Sequence, residues 1–318
     1  MASIASRPPP AVSPSAASTS VSASSAVPSA FTILTSVTST KDSDPPTVRF
    51  TNTQDLFNAI DSTTGDFLTI TNVSPDQFTE IERVREKRHR KFRFRRYNAN
   101  SQILIITIPT DLHEALHLGL YMRYRDQLVR NGTEESWKDI GTATFRQQGH
   151  PGGNGGEGDS TGGPWPEREG AGNWPTLVIE SGHSETLTEL HKDMQWWFQA
   201  SNHEVKIVIL AKFDDQQHHI LLEKWEEAIS SPQGAIMRSR AAAMSQQNGV
   251  LNPVIRQSIT ITRDETTNPV SYNVTRGPLV LGFRLLFLRN PQERDFVLSI
   301  QDLQLYARKV WGELPRSD

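Results

Sequence analysis

The string His113-Glu114-Ala115-Leu116-His117 sets two imidazoles one helical turn apart with a carboxylate between them. On a helix such a pair can hold zinc while the glutamate polarises a water, the chemistry of zinc peptidases. The string follows directly on Pro109-Thr110-Asp111, which puts it in a first turn, and Gly119 stands one place short of the extended H-E-x-x-H-x-x-G spacing. No third ligand follows at a recognisable distance. The plainer reading is a helix face on which His113 and His117 point toward a sheet, one of them buried and hydrogen-bonded.

A second set of acids is separated in the chain. Asp159 lies in Glu157-Gly158-Asp159-Ser160, and Glu180 ends the apolar run Pro175-Thr176-Leu177-Val178-Ile179-Glu180. An acid beside a turn and another at the end of a buried strand can flank one hard cation. Mg²⁺ or Mn²⁺ held there activates water and neutralises charge on a phosphodiester. Nearby, Arg83, Arg85, Lys87, Arg88, Arg90, Lys91, Arg93, Arg95 and Arg96 face only Glu80, Glu82 and Glu86 in the same stretch. Such a cluster neutralises nucleic-acid phosphates, and the interleaved Phe92, Phe94 and Tyr97 have faces on which bases stack. Arg90, Lys91, Arg93, Arg95 and Arg96 are the expected DNA contacts. The competing reading is a solvated basic face whose aromatics pack inward. The tract also has the composition of a nuclear-import signal, and the expected location is intracellular, cytoplasmic or nuclear.

Positioning these residues requires a particular set of elements. Asp55–Ile60 reads as a short helix, Phe67–Thr71 as a strand, and Pro75 opens a helix that enters the basic tract. Lys91–Tyr97 alternates charged and aromatic residues, and Gln102–Ile108 is a β-branched run, so the two form a hairpin. Thr110 caps a helix with its apolar stripe on Leu112, Leu116, Leu120, Tyr124 and Leu128. Ile140–Phe145 is a predicted strand, and the glycine-rich stretch 149–172 reads as a long loop or several tight turns. That stretch lacks the lysine of a phosphate-binding loop, which excludes nucleotide binding. A capping box at Thr186–Glu189 starts a helix with core positions Leu187, Leu190, Met194 and Trp197. Val205–Lys212 and His219–Trp225 are strands, followed by Ile255–Thr262, Leu279–Leu288 and a last helix Asp302–Trp311.

The chain has 318 residues, 36% hydrophobic and 22% charged, with a formal net charge of -3 from 33 basic and 36 acidic residues. That near-balance leaves nucleic-acid binding to local clusters. With no cysteine, disulfides, thiolate zinc sites and a cysteine nucleophile are excluded. No apolar run is long enough to span a bilayer. Residues 1–46 are rich in Ser, Ala and Pro, have too little apolar surface to order themselves, and are expected to be a disordered tail. The expected organisation is that tail, an N-terminal extension at 47–100 carrying the basic tract, a core at 101–226, a linker at 227–253, and C-terminal strands with a helix at 254–318 that pack on the core.

The run from Trp174 to Glu226 resembles the core of the PD-(D/E)xK nuclease superfamily, and more narrowly the Uma-type restriction-endonuclease-like proteins and a set of related fungal proteins. The likeness is carried by Ile108–Glu114, Glu157–Ser160, Pro175–Glu180 with Gly182, Ser184 and Glu185, the helix with Trp196-Trp197, and Val205–Leu210. It covers about residues 90–226 and implies an α/β (α+β), restriction-endonuclease-like fold, a mixed β-sheet flanked by helices. The implied function is a Mg²⁺- or Mn²⁺-dependent endonuclease acting on DNA, with Asp159 and Glu180 as the metal-binding acids and Glu114 as an acid supplied by the first core helix. Members of the superfamily place a lysine two residues after the second acid; here Gly182 occupies that position. Lys206 is the expected substitute, with Lys212 further off, Lys192 in solvent and Gln195 where relatives carry a helix lysine. Two further readings stand beside the nuclease: the same fold binding DNA or protein without cleavage, and a zinc metallopeptidase on His113 and His117.

Overall fold

The computed structural model describes residues 46–141, 143–147, 153–170, 172–229, 250–290 and 294–314, all within one unit, Ser43–Asp318. The expected tail at 1–46 therefore lies outside the described residues except for its last position, and so does most of the expected linker. The architecture is mixed α and β, with mixed sheets flanked by helices, as the sequence predicts.

A seven-stranded sheet carries the central core. Its strands are β5 (Trp137–Asp139), β8 (Ser160–Pro164), β9 (Leu177–Gly182), β10 (Ile207–Asp214), β11 (His219–Ile229), β12 (Leu251–Asp264) and β13 (Ser271–Thr275), in the order β13-β12-β11-β10-β9-β8-β5. Only β9 and β10 are parallel neighbours. The connection between them is helix α4 (Leu187–Ala200), as parallel pairing demands. Leu190, Met194, Trp197 and Phe198 of α4 bury against Val178, Val208 and Leu210 on one face. The other face, with Leu177, Ile179, Ile207 and Ile209, is covered by α3 (Asp111–Arg130) and the C-terminal helix, here α6 (Ile300–Gly312). Thr110 caps α3 by accepting from the His113 N–H at 3.2 Å, which fixes where the His-Glu-x-x-His turn begins.

A six-stranded sheet, β1-β2-β4-β3-β7-β6, lies over the opposite side of the site. It comprises β1 (Thr47–Arg49), β2 (Phe67–Thr71), β3 (Arg93–Asn98), β4 (Ile103–Thr107), β6 (Phe145–Arg146) and β7 (Gly155–Gly156), and it packs on α1 (Thr53–Ser62) and α2 (Pro75–Lys87). Residues 47–100 are thus half of the framework of the site rather than an extension to it. The predicted β3–β4 hairpin is present, with one addition: its register shifts between Arg93 and Arg96. The extra residue of such a bulge puts two successive side chains on one face. Phe94 and Tyr97 turn into the aromatic core with Phe78, while Arg95 and Arg96 both turn toward α4.

Three expectations change. The stretch 155–164 holds β7 and β8 rather than a loop, and β8 is buried throughout. Gly162 is steric: a Cβ there would meet the Tyr121 hydroxyl at 2.5 Å and the Trp137 indole nitrogen at 2.6 Å. Leu279–Leu288 splits at Gly282 into β14 (Leu279–Leu281) and the short helix α5 (Phe283–Phe287), because Phe283, Leu286 and Phe287 bury at helical spacing. β14 pairs with β15 (Phe296–Leu298). The ends of the expected linker are strand, since Ile229 pairs with Leu251; residues 230–249 lie outside the described residues.

Candidate functional site

Glu114 and Arg93 line an open cleft of about 820 Å³, whose walls include Arg85, His89, Arg90, Lys91 and Pro109, and the buried Asp159 meets Arg93 behind them. Each comes from a different element. The first turn of α3 supplies Glu114, the turn before β8 supplies Asp159, and β3 supplies Arg93. The guanidinium of Arg93 donates to Glu114 Oε1 at 2.7 Å and to Asp159 Oδ1 at 3.3 Å, and lies 3.4 Å from His117 Nε2. Asp159 Oδ2 accepts from the Ser181 N–H at 2.8 Å and from its hydroxyl at 3.1 Å, so β9 locks the acid through its backbone.

Behind these groups sit the two histidines, both buried. His113 Nε2 lies 3.2 Å from Asp159 Oδ2 and its Nδ1 3.8 Å from Glu114 Oε1, yet neither ring nitrogen has a partner in hydrogen-bond geometry. His117 Nδ1 pairs with the Ser160 hydroxyl at 2.8 Å, leaving Nε2 3.3 Å from Glu114 Oε1. Burial lowers the pKa of His113, but the charge of Asp159, together with Glu114 and Asp66, outweighs it and raises it to about 10. His117 goes the other way, lowered by its burial. For Asp159, burial opposes ionisation, and the charges of His113, His117 and Arg93 together more than offset it, holding the carboxyl well below its ordinary range. Glu114 is likewise held low against the effect of burial, by the two nearby histidines and the Arg93 charge.

A second, deeper group joins it through Glu180. This acid is buried, accepts from the Trp197 indole N–H through Oε1, and leaves Oε2 without a hydrogen bond. Around it lie Arg95, Glu185 and Asp193, all buried, with Arg95 paired to both acids. Arg96 adds a 3.0 Å contact to Asp193. Burial, and then the negative charge of Asp159, push Glu180 well above its ordinary pKa, and burial does the same to Glu185. A neutral Glu180 makes a prediction. Its unfolded form ionises above the ordinary value of 4.5 while the folded form stays protonated, so the wild type loses stability as pH rises past that point. Glu180→Gln should therefore melt with the wild type near pH 4 and above it at pH 8, by roughly 2–4 °C for each kcal/mol recovered. Melting curves at the two pH values check this, and a lower Tm for the variant at pH 8 would mean that the carboxylate is charged in place.

Of the residues expected to act together, the structure brings Glu114 and Asp159 together directly, and Glu180 joins them electrostatically from the α4 side. Lys206 does not join them. Its Nζ donates to the His203 carbonyl at 2.6 Å, and its position precedes Ile207 at the opposite end of β10. Glu180 is level with Leu210, four residues further on, roughly 13 Å at about 3.3 Å per residue. Gly182 has no room for a lysine either, since a Cβ there would meet Glu185 and Leu190 at 3.3 Å. Lys212, opposite Gly182, ends on the carbonyls of His183 and Phe213. Lys192 is exposed and pairs with Glu189.

The expected DNA contacts divide in the same way. Arg90 and Lys91 line the cleft wall and Arg93 its floor, whereas Arg95 and Arg96 are turned inward onto acids of α4. Arg95 is 3% exposed, so it faces no external partner. Phe92, Phe94 and Tyr97 are core residues, which removes them as stacking platforms. For a peptidase the obstacle is access: His113 is fully buried and His117 nearly so, and no peptide can lie against them.

Asp159 and Glu180 do not suit magnesium as a pair. Mg²⁺ keeps several waters and wants open octahedral geometry, whereas both carboxylates are enclosed, one saturated by Ser181 and the other turned to Trp197. The donor set behind the cleft is mixed: the buried His113 and His117 and the part-exposed Glu114 present ligand atoms within 4.8 Å of one another. Sequence reading missed Arg95, Glu185 and Asp193 as partners. The available signal was Asp193, an acid set inside the apolar stripe Leu190, Met194, Trp197.

No family model matches the chain, and no curated protein matches it. Among solved structures, a crystal structure from Anabaena variabilis ATCC 29413, described as a candidate nuclease belonging to DUF820, aligns with 74% of this chain and 99% of that one. The identity is 10% and the TM-score 0.38.

Proposed function

We propose that this chain is a nuclease-type domain that takes nucleic-acid phosphodiesters, DNA first among them, along the cleft and acts on them at Glu114. Arg90 and Lys91 contact phosphates from the wall; Arg93 at the floor receives the phosphate nearest the acids; Asp159 and the two histidines behind fix Glu114 and Arg93 in place. The observation that supports this most is the convergence of Glu114 and Asp159, from two separate elements, on Arg93 of a third, with Glu114 and Arg93 lining one open cleft and Asp159 buried behind them. A purely structural ion-pair network is the alternative explanation. It accounts poorly for so many buried ionisable groups, because burying charge is costly for stability, and displaced pKa values gathered in a cleft mark functional sites.

The test is incubation of the full chain with supercoiled plasmid and with single-stranded DNA and RNA, in Mg²⁺, Mn²⁺ or Zn²⁺, beside Glu114→Gln. Glu114 is partly exposed, so this variant keeps the fold. The expected result is divalent-dependent cleavage that falls at least about 100-fold in the variant; equal cleavage by both proteins would end the reading. A second reading, binding without hydrolysis, is favoured by one specific finding: among the described residues no lysine contacts Glu180, with Gly182 packed against Glu185 and Lys206 at the far end of its strand. Salt-sensitive binding with no cleavage under any of the three ions would select it.

A further inference from the structure

We infer that His113 Nδ1, His117 Nε2 and Glu114 Oε1 form a site for one imidazole-preferring divalent ion of the zinc class, and that Arg93 occupies the same centre as a removable internal cation. The inference concerns the site assigned above but does not depend on nucleic acid being its substrate.

Each imidazole has an inner and an outer nitrogen. The outer ones face groups that would orient the rings: His113 Nε2 is 3.2 Å from Asp159 Oδ2, and His117 Nδ1 is 2.8 Å from the Ser160 hydroxyl. Metal-binding histidines are held by such outer partners, which fix the tautomer and aim the remaining nitrogen. The inner nitrogens both look toward Glu114 Oε1, at 3.8 Å from His113 Nδ1 and 3.3 Å from His117 Nε2. For metal–ligand bonds of about 2.0–2.1 Å, tetrahedral ligand atoms stand roughly 3.3 Å apart. The cluster is thus close to closing on an ion without rebuilding the helix.

The second observation is independent of the spacing. His113 Nδ1 is buried, aimed into this centre, and has no hydrogen-bond partner. Buried polar atoms left in that state are uncommon and call for an explanation. A missing ion is one. The donor set also argues class: two imidazoles and one carboxylate select zinc-type ions over magnesium, which prefers oxygen alone. Glu114, one-third exposed, links this centre to the cleft that it lines.

Arg93 is the obstacle and the control. Its two terminal nitrogens lie 2.7 Å from Glu114 Oε1 and 3.4 Å from His117 Nε2, on two of the three ligand atoms. A dication and a guanidinium cannot share that volume, so they compete. Removing the arginine should favour the metal, the reverse of what happens when a ligand or a positioning group is lost.

The test uses the full chain stripped by chelator, without nucleic acid. Zn²⁺ and Mg²⁺ are titrated calorimetrically into wild type, Glu114→Gln and Arg93→Gln, each checked for a cooperative melt, and Co²⁺ is added to wild type as a spectroscopic probe. The inference expects one Zn²⁺ per chain, bound at least 100-fold more tightly than Mg²⁺, and intense visible bands of four-coordinate cobalt. It expects Glu114→Gln to weaken Zn²⁺ at least 10-fold and Arg93→Gln to tighten it at least 10-fold. It is overturned by sub-stoichiometric zinc, by the faint spectrum of six-coordinate cobalt, or by unchanged affinity in Glu114→Gln. Weaker binding in Arg93→Gln would overturn the competition. Because no nucleic acid is present, failure here leaves the cleavage result untouched, and failure of cleavage leaves the metal result standing.

Discussion

Arg95→Met is expected to cost about 3–5 kcal/mol of stability, the usual penalty for leaving buried charge unpaired, which is roughly 6–20 °C in Tm for a domain of this size. Arg95 is the only cation in contact with Glu185 among the described residues, and it also holds Asp193. Both acids are buried. Methionine keeps the apolar stem of arginine but is shorter and supplies no charge, so the loss reports the missing electrostatic partner together with a small cavity. The triple change Arg95→Met, Glu185→Leu, Asp193→Leu should recover most of the deficit, because an ion cluster replaced whole by apolar residues often costs little. Urea denaturation of the three proteins measures this. An Arg95→Met loss below 1 kcal/mol would show that water, not Arg95, solvates the acids.

Asp159→Asn should be nearly as damaging, again about 3–5 kcal/mol. One carboxylate oxygen faces His113 and accepts from Ser181 N and Oγ, and the other meets Arg93. Asparagine keeps an acceptor for Ser181 but removes the negative charge that both His113 and Arg93 face, and its amide introduces donors where only acceptors are wanted. Asp111→Asn, one turn away and exposed, serves as the control and should stay within about 0.5 kcal/mol. Equal midpoints for the two variants would remove Asp159 from the centre of the network.

How far the site was legible varies by residue, for physical reasons. Glu114, Asp159 and Glu180 drew attention because an acid in the first turn of a capped helix, beside a turn, or at the end of an apolar strand is a local feature, while Glu114's place beside the other two came only from the family resemblance. The hairpin was readable from its alternation, but the bulge was not. Strict alternation sends Arg93, Arg95 and Tyr97 to one face and Arg96 to the other. The extra residue at 94–95 turns Arg95 and Arg96 inward and Tyr97 into the core. Five arginines and lysines that read as a nucleic-acid surface therefore divide between cleft and interior. Strand β8 was hidden by composition: its glycines resemble a loop, yet Gly162 is there because Tyr121 and Trp137 leave no space for a Cβ. Lys206 was misassigned because sequence shows that a lysine joins a strand but not at which end of the neighbouring strand it lands; the parallel register of β9 and β10 decides that.

The most direct test of the cleft as a nucleic-acid site is fluorescence anisotropy of labelled duplex and single-stranded DNA, titrated with wild type and with the double variant Arg90→Gln, Lys91→Gln at two salt concentrations. Wild type should bind with an affinity that falls steeply as salt rises, and the double variant should bind at least about 10-fold more weakly, with a salt slope smaller by about 2. Identical affinities and slopes for the two proteins, or no binding by the wild type at low salt, would contradict it.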